Sequence, residues 1–115
     1  MRQSWAITPE KIAAAVRRIV DVAHPRRIIV FGSIVSGETD IHSDVDILVV
    51  TRNEVESRRA ESVRIRRSLR GISMPMDILV IPETQLQEVA DRPGLVYREA
   101  LRHGRVVYDA AEERQ

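Results

Sequence analysis

Apolar residues first recur at helical spacing: Ile12, Val16, Ile19 and Val20 fall on one face of a 3.6-residue period. Thr8-Pro9-Glu10 stands before them, with Thr as N-cap and Pro at the first helical position. The spacing predicts a helix that His24-Pro25 ends. The run RRIIVF, Arg26 to Phe31, is short and β-rich, and Ile28, Ile29 and Val30 suit a buried strand. Gly32 to Gly37 reads as a turn into a short helix, and Glu38 to Ser43 as a polar loop. Val45 to Thr51 is apolar on both faces, which places this second strand inside a sheet. Asn53 is expected to cap a long helix to about Arg70, with Val55, Ser62, Ile65 and Leu69 inward, stopped by Gly71. A third strand runs from Met74 to Ile81. Pro82-Glu83-Thr84 begins a helix that Pro93-Gly94 breaks. Leu95 to Arg102 is a last helix, closed by His103-Gly104, and Arg105 to Tyr108 a last short strand. The tail AAEERQ is expected to fray. This order is that of one α/β (α+β) layer domain over residues 1–115, with its core at about 8–109.

Composition narrows the function classes. At 115 residues, with 43% hydrophobic and 30% charged residues, the chain reads as one soluble globular domain. No apolar run is long enough for a bilayer. The start MRQSWAITPEK lacks the apolar core of a signal peptide, so a cytoplasmic location is expected. Cysteine is absent, which removes disulfides, thiolate metal sites and a cysteine nucleophile. The net charge of +1 and the 3% aromatic content argue against direct nucleic-acid binding by bulk charge or base stacking. All basic residues but Lys11 are arginine.

The candidate chemistry lies in VFGSIVSGETDIHSDVDILVV, residues 30–50. Gly32-Ser33 forms a small turn after a strand, and after ten intervening residues Asp44-Val45-Asp46 opens the next. Side chains two apart on a strand share a face, so Asp44 and Asp46 converge while Val45 and Ile47 point away. Carboxylates held that close repel unless a cation lies between them. Mg²⁺ suits such oxygen donors together with substrate phosphates. The Gly-Ser turn offers N–H groups and a hydroxyl to phosphate. A Ser-Asp turn accounts for Ser43 and Asp44, but not for Asp46 inside an apolar strand. Asp77 is likewise the one acid in the third strand, costly there unless paired or coordinating. If that strand lies beside the second, Asp77 joins the cluster as general base or second-metal ligand.

The pattern FGS-x3-G-x5-SD-x-D, with a later lone Asp in an apolar strand, resembles the nucleotidyltransferases of the DNA polymerase β superfamily. More narrowly it is similar to the minimal nucleotidyltransferases (MNT), whose Gly-Ser, ten residues, Asp-x-Asp pattern falls on Gly32, Ser33, Asp44 and Asp46. The resemblance covers most of the chain and implies the single-domain nucleotidyltransferase fold, a mixed sheet with helices packed on it. It implies ATP as substrate and Mg²⁺, with two metals, as cofactor. Gly32, Ser33 and Ser43 would contact nucleotide; Asp44, Asp46 and Asp77 would be the catalytic, metal-binding acids. AMP would pass to a hydroxyl with release of pyrophosphate. Many members are antitoxins that adenylylate a tyrosine of a HEPN ribonuclease, so a HEPN-type protein is the expected partner. Little chain remains for an acceptor domain, in keeping with an acceptor that is itself a protein. One stretch departs from the pattern: Ile34-Val35-Ser36 stands where many relatives carry arginine, which weakens the expectation for triphosphate affinity.

Other features stay open at this level. Arg58, Arg59, Arg64, Arg66, Arg67 and Arg70 crowd one expected helix. They read as a solvated face with a Glu54–Arg58 pair, or as a surface for an acidic partner, triphosphate or RNA. A homo-oligomer is compatible with the chain. His24, His42 and His103 lack metal-ligand spacing, and Trp5, Tyr97 and Tyr108 suit core edges. The leading expectation is a protein adenylyltransferase. The alternatives are a non-catalytic subunit acting by contact, and transfer to an aminoglycoside-like small molecule or RNA.

Overall fold

The computed structural model describes residues 7–32, 44–52, 57–90, 92 and 96–111. In order they form α1 (Pro9–Ala23), β1 (Arg27–Phe31), β2 (Val45–Thr51), α2 (Arg58–Ser68), β3 (Met76–Pro82), α3 (Glu83–Val89), α4 (Val96–His103) and β4 (Arg105–Asp109). The strands make one mixed sheet in the order β3-β2-β1-β4. β1 is antiparallel to β2 and β4, and β2 is parallel to β3. The fold is α+β, as the element order predicts. The short helix expected after Gly32 and the polar loop following it lie outside the described residues.

Local signals account for the element ends. Thr8 caps α1 by accepting from the Lys11 N–H at 3.1 Å, with Pro9 at the first position. His24 ends α1 in the left-handed region at φ 46°. α2 begins at Arg58, later than the start expected at Asn53. Ser57 is extended (φ −146°, ψ 117°) and its hydroxyl accepts from the Ala60 N–H; this is the N-cap geometry. Asn53 itself lies outside the described residues. Gly71, at φ 94°, follows the helix end and supplies the left-handed turn that favours glycine. β3 starts at Met76, two residues later than expected. Pro75 has no N–H to give, and its carbonyl instead accepts from the Val45 N–H at 3.0 Å.

Alternation of side chains divides the core in two. Ile28, Val30, Val45, Ile47, Val49, Ile78 and Val80 pack with Ala15 and Ile19 of α1 and Ile65 of α2. Ile29, Phe31, Leu48, Val50 and Ile81 face the other way, with Leu86 of α3 and Ala100 of α4. The sheet therefore has helices on both faces. β2, buried at every position but Asp46, is the inner strand that its apolar run predicts.

The two sheet edges differ. Along β3, α2 supplies side-chain donors: Arg58 Nε bonds the Val80 carbonyl at 2.8 Å and Ser62 Oγ the Ile78 carbonyl at 3.5 Å. These occupy edge carbonyls that would otherwise be open to another strand. β4, at the opposite edge, carries a register irregularity against β1 between Ile28 and Ile29.

Candidate active site

Asp46 is the second residue of β2 and Asp77 the second of β3. They are Cα partners across the parallel pair, so their side chains leave the sheet on the same face, about 4.8 Å apart at the backbone. Phe31, the last residue of β1, is the antiparallel partner of Asp46. The row Phe31–Asp46–Asp77 thus crosses three strands where β1 ends and β2 and β3 begin. The next row inward on that face is Ile29, Leu48 and Leu79, part of the second core. The acids stand at the rim of an apolar layer.

Gly32 follows this row directly. Its φ is +96°, and a Cβ at this position would overlap the Asp46 carboxylate at Oδ2. Two separate demands therefore meet on this glycine: a left-handed turn and the close approach of a carboxylate. Asp44 is exposed, one residue before β2. The Asp46 carboxyl has its pKa raised, first by burial, then by the negative charge of Asp77 and of Asp44. Burial disfavours the charged form, and the two neighbouring acids add to that effect.

Asp77 is half-exposed, and among the described residues it meets one cation: Arg66 Nη2 lies 2.9 Å from its Oδ1. Arg66 is on α2, which borders β3. Two other arginines of α2, Arg64 and Arg58, have separate partners. Arg64 bonds Glu61 at 2.6 Å and the Val22 carbonyl at 2.7 Å. Arg58 bonds the Val80 carbonyl and the Tyr97 hydroxyl, with its guanidinium 5.7 Å from the Tyr97 ring centroid. Glu54, its expected partner, lies outside the described residues. Sequence reasoning left Arg66 among solvated arginines. The available signal was the spacing Arg58, Ser62, Arg66, one residue per helical turn.

The structure brings together Gly32, Asp46 and Asp77, with Asp44 at the approach to the strand. Ser33, Ser43 and His42 lie outside the described residues. Among the described residues, no group of three or more His, Asp or Glu side chains could hold a metal ion. The three acids expected around one or two ions do not stand as a closed ligand set: Asp46 and Asp77 are adjacent, and Asp77 is engaged by Arg66. The donors nonetheless fit Mg²⁺, which commonly takes one or two carboxylates and completes its shell with water and substrate phosphates. A separate groove of about 410 Å³, lined by Pro9, Ile12, Val16, Arg17, Arg105 and Val107, lies beside α1, on the opposite face from the acidic row. No helix among the described residues is long and apolar enough to cross a membrane.

The family model described as nucleotidyltransferase domain matches residues 9–114. The fold is similar to the crystal structure of a Sulfolobus solfataricus protein assigned as a nucleotidyltransferase. The TM-score is 0.55 at 19% identity, over 92% of this chain and 93% of that one. No curated protein matches the chain.

Proposed function

Because the chain belongs to the nucleotidyltransferase domain family, and nucleotidyl transfer is the chemistry of that family, we propose that it is a Mg²⁺-dependent adenylyltransferase. In this reading it moves AMP from ATP to a hydroxyl of a partner protein, as the antitoxin of a HEPN/MNT pair. The observation that carries the transfer reading is the Asp46–Asp77 row set against Gly32. The protein acceptor and the HEPN partner rest on the resemblance to minimal nucleotidyltransferases.

Asp46 and Asp77 would hold the metal, with Asp44 joining from the start of β2. Bound Mg²⁺ neutralises triphosphate charge and makes an attacking hydroxyl more acidic. Gly32 leaves the Asp46 carboxylate its room and, with Ser33 and Ser43, would contact the triphosphate. The apolar layer behind the row, Ile29, Leu48 and Leu79, excludes water on one side of the carboxylates. That strengthens their interaction with cations.

A second reading is a non-catalytic subunit that neutralises its partner by contact. It is favoured by the open arrangement of the acids, which among the described residues form no closed ligand set. One experiment separates the two. The protein is incubated with α-labelled ATP, Mg²⁺ and the product of its genomic neighbour, the expected HEPN-type partner, with Asp44→Asn/Asp46→Asn as control. Label on that neighbour, lost in the control, is the expected outcome. Neutralisation without label, undiminished in the control, would establish the contact reading. Label on RNA or an aminoglycoside alone would replace the acceptor.

A further inference from the structure

We propose that Arg66 is a positioning residue for Asp77, fixing one carboxylate oxygen so that the other is presented to a divalent cation beside Asp46. The inference rests on the nucleotidyl-transfer reading above. Its starting point is that α2 lies along the edge of β3 through side chains one turn apart. Arg58 Nε holds the Val80 carbonyl at 2.8 Å, and Ser62 Oγ approaches the Ile78 carbonyl at 3.5 Å. Arg66 is the next residue in that series, and its Nη2 holds Asp77 Oδ1 at 2.9 Å. The first two contacts fix the helix against the strand. The third then reaches a carboxylate instead of a backbone carbonyl, in the row where Asp77 pairs with Asp46.

An ion pair of this exposure, 48% and 52% for the two side chains, contributes little to folding. Its consequence is geometric. A carboxylate on an edge strand, half in solvent, would otherwise sample its rotamers freely. Partners that hydrogen-bond a ligating carboxylate orient it for the metal, and their loss typically weakens binding by about 10- to 100-fold. Arg66 takes Oδ1, so among the described residues Oδ2 remains for a cation. Its position in the last turn of α2 also sets the guanidinium where the helix dipole favours positive charge.

The test is direct binding of Mn²⁺, followed by its electron paramagnetic resonance signal, on the full chain without nucleotide. R66Q is expected to bind Mn²⁺ about tenfold more weakly than the wild type, with R66K recovering part of the loss. R66Q/D77N is expected to bind no more weakly than D77N, because Arg66 acts through Asp77. Thermal unfolding of R66Q should stay near that of the wild type, which separates positioning from folding. R66Q binding equal to or tighter than the wild type would overturn the proposal while leaving the metal site standing. So would a loss that adds to that of D77N. If the wild type binds no Mn²⁺, or D46N binds as well as the wild type, the metal reading itself falls and Arg66 with it.

Discussion

Asp46 is where the fold and the candidate chemistry pull in opposite directions. Burial and the charges of Asp77 and Asp44 raise its pKa, so the folded state takes up a proton at a higher pH than the unfolded chain. The linkage has a definite sign. Asp46 favours folding at pH below the unfolded aspartate range, and that contribution is lost as pH rises through the raised value. At neutral pH the ionised carboxylate opposes folding. Asp46→Asn is therefore expected to raise the thermal unfolding temperature at pH 7 in the absence of divalent ions. The gain should shrink toward zero below about pH 4, where the carboxyl is protonated in both states. Unfolding temperatures of both proteins across pH 3.5–7.5 check this. An Asn variant less stable than the wild type at pH 7 would contradict it. The acids were legible in the sequence because a charge inside an apolar strand has few structural uses. That Asp46 and Asp77 are direct neighbours was not legible, since register is set by pairing across strands. The Arg66 contact was hidden for a related reason: it depends on where α2 crosses the edge of β3.

At the scale of elements, α2 shows how much a boundary matters. Asn53 and Ser57 are both acceptable N-caps by composition, and nothing local to the sequence decides between them. The structure uses Ser57. β2 was the clearer case, because an uninterrupted apolar run from Ile47 to Val50 requires cover on both faces, and α1 with α2 and α3 with α4 supply it. Arg58 ties α2 both to β3 and to α4, through the Val80 carbonyl and Tyr97. Arg58→Ala should cost about 1 kcal/mol, as expected for hydrogen bonds from a charged, exposed donor that keeps much of its solvation. A lower urea midpoint with an unchanged slope would be the expected result. An unchanged midpoint would show that solvent replaces the contact at no cost.

For the whole molecule, the order β3-β2-β1-β4 places the first strand between the second and the last. Alternation along the strands made a layered α+β domain legible, and the helical periods supplied its cover. Strand order was less accessible, because four short apolar runs can be ordered in many ways. The acids depend only on β1, β2 and β3, while β4 completes the far side of β1. It does so through the register Arg27↔Asp109 to Val30↔Arg105 and ion pairs from Asp109 to Arg26 and Arg27. A chain ending at Gly104 would keep every candidate site residue yet leave β1, with Ile28, Ile29 and Val30, unpaired on one side. It is expected to elute as aggregate in size-exclusion chromatography where the full chain does not. A monomeric, folded truncation would contradict this.

The same strand order has a consequence for a chain made from its N-terminus. β1 is made well before β4, the segment that covers its open side. Until β4 is made, the nascent chain carries one apolar strand whose second partner does not yet exist. The emergence of β4, more than that of the acidic row, is then the step at which the sheet closes.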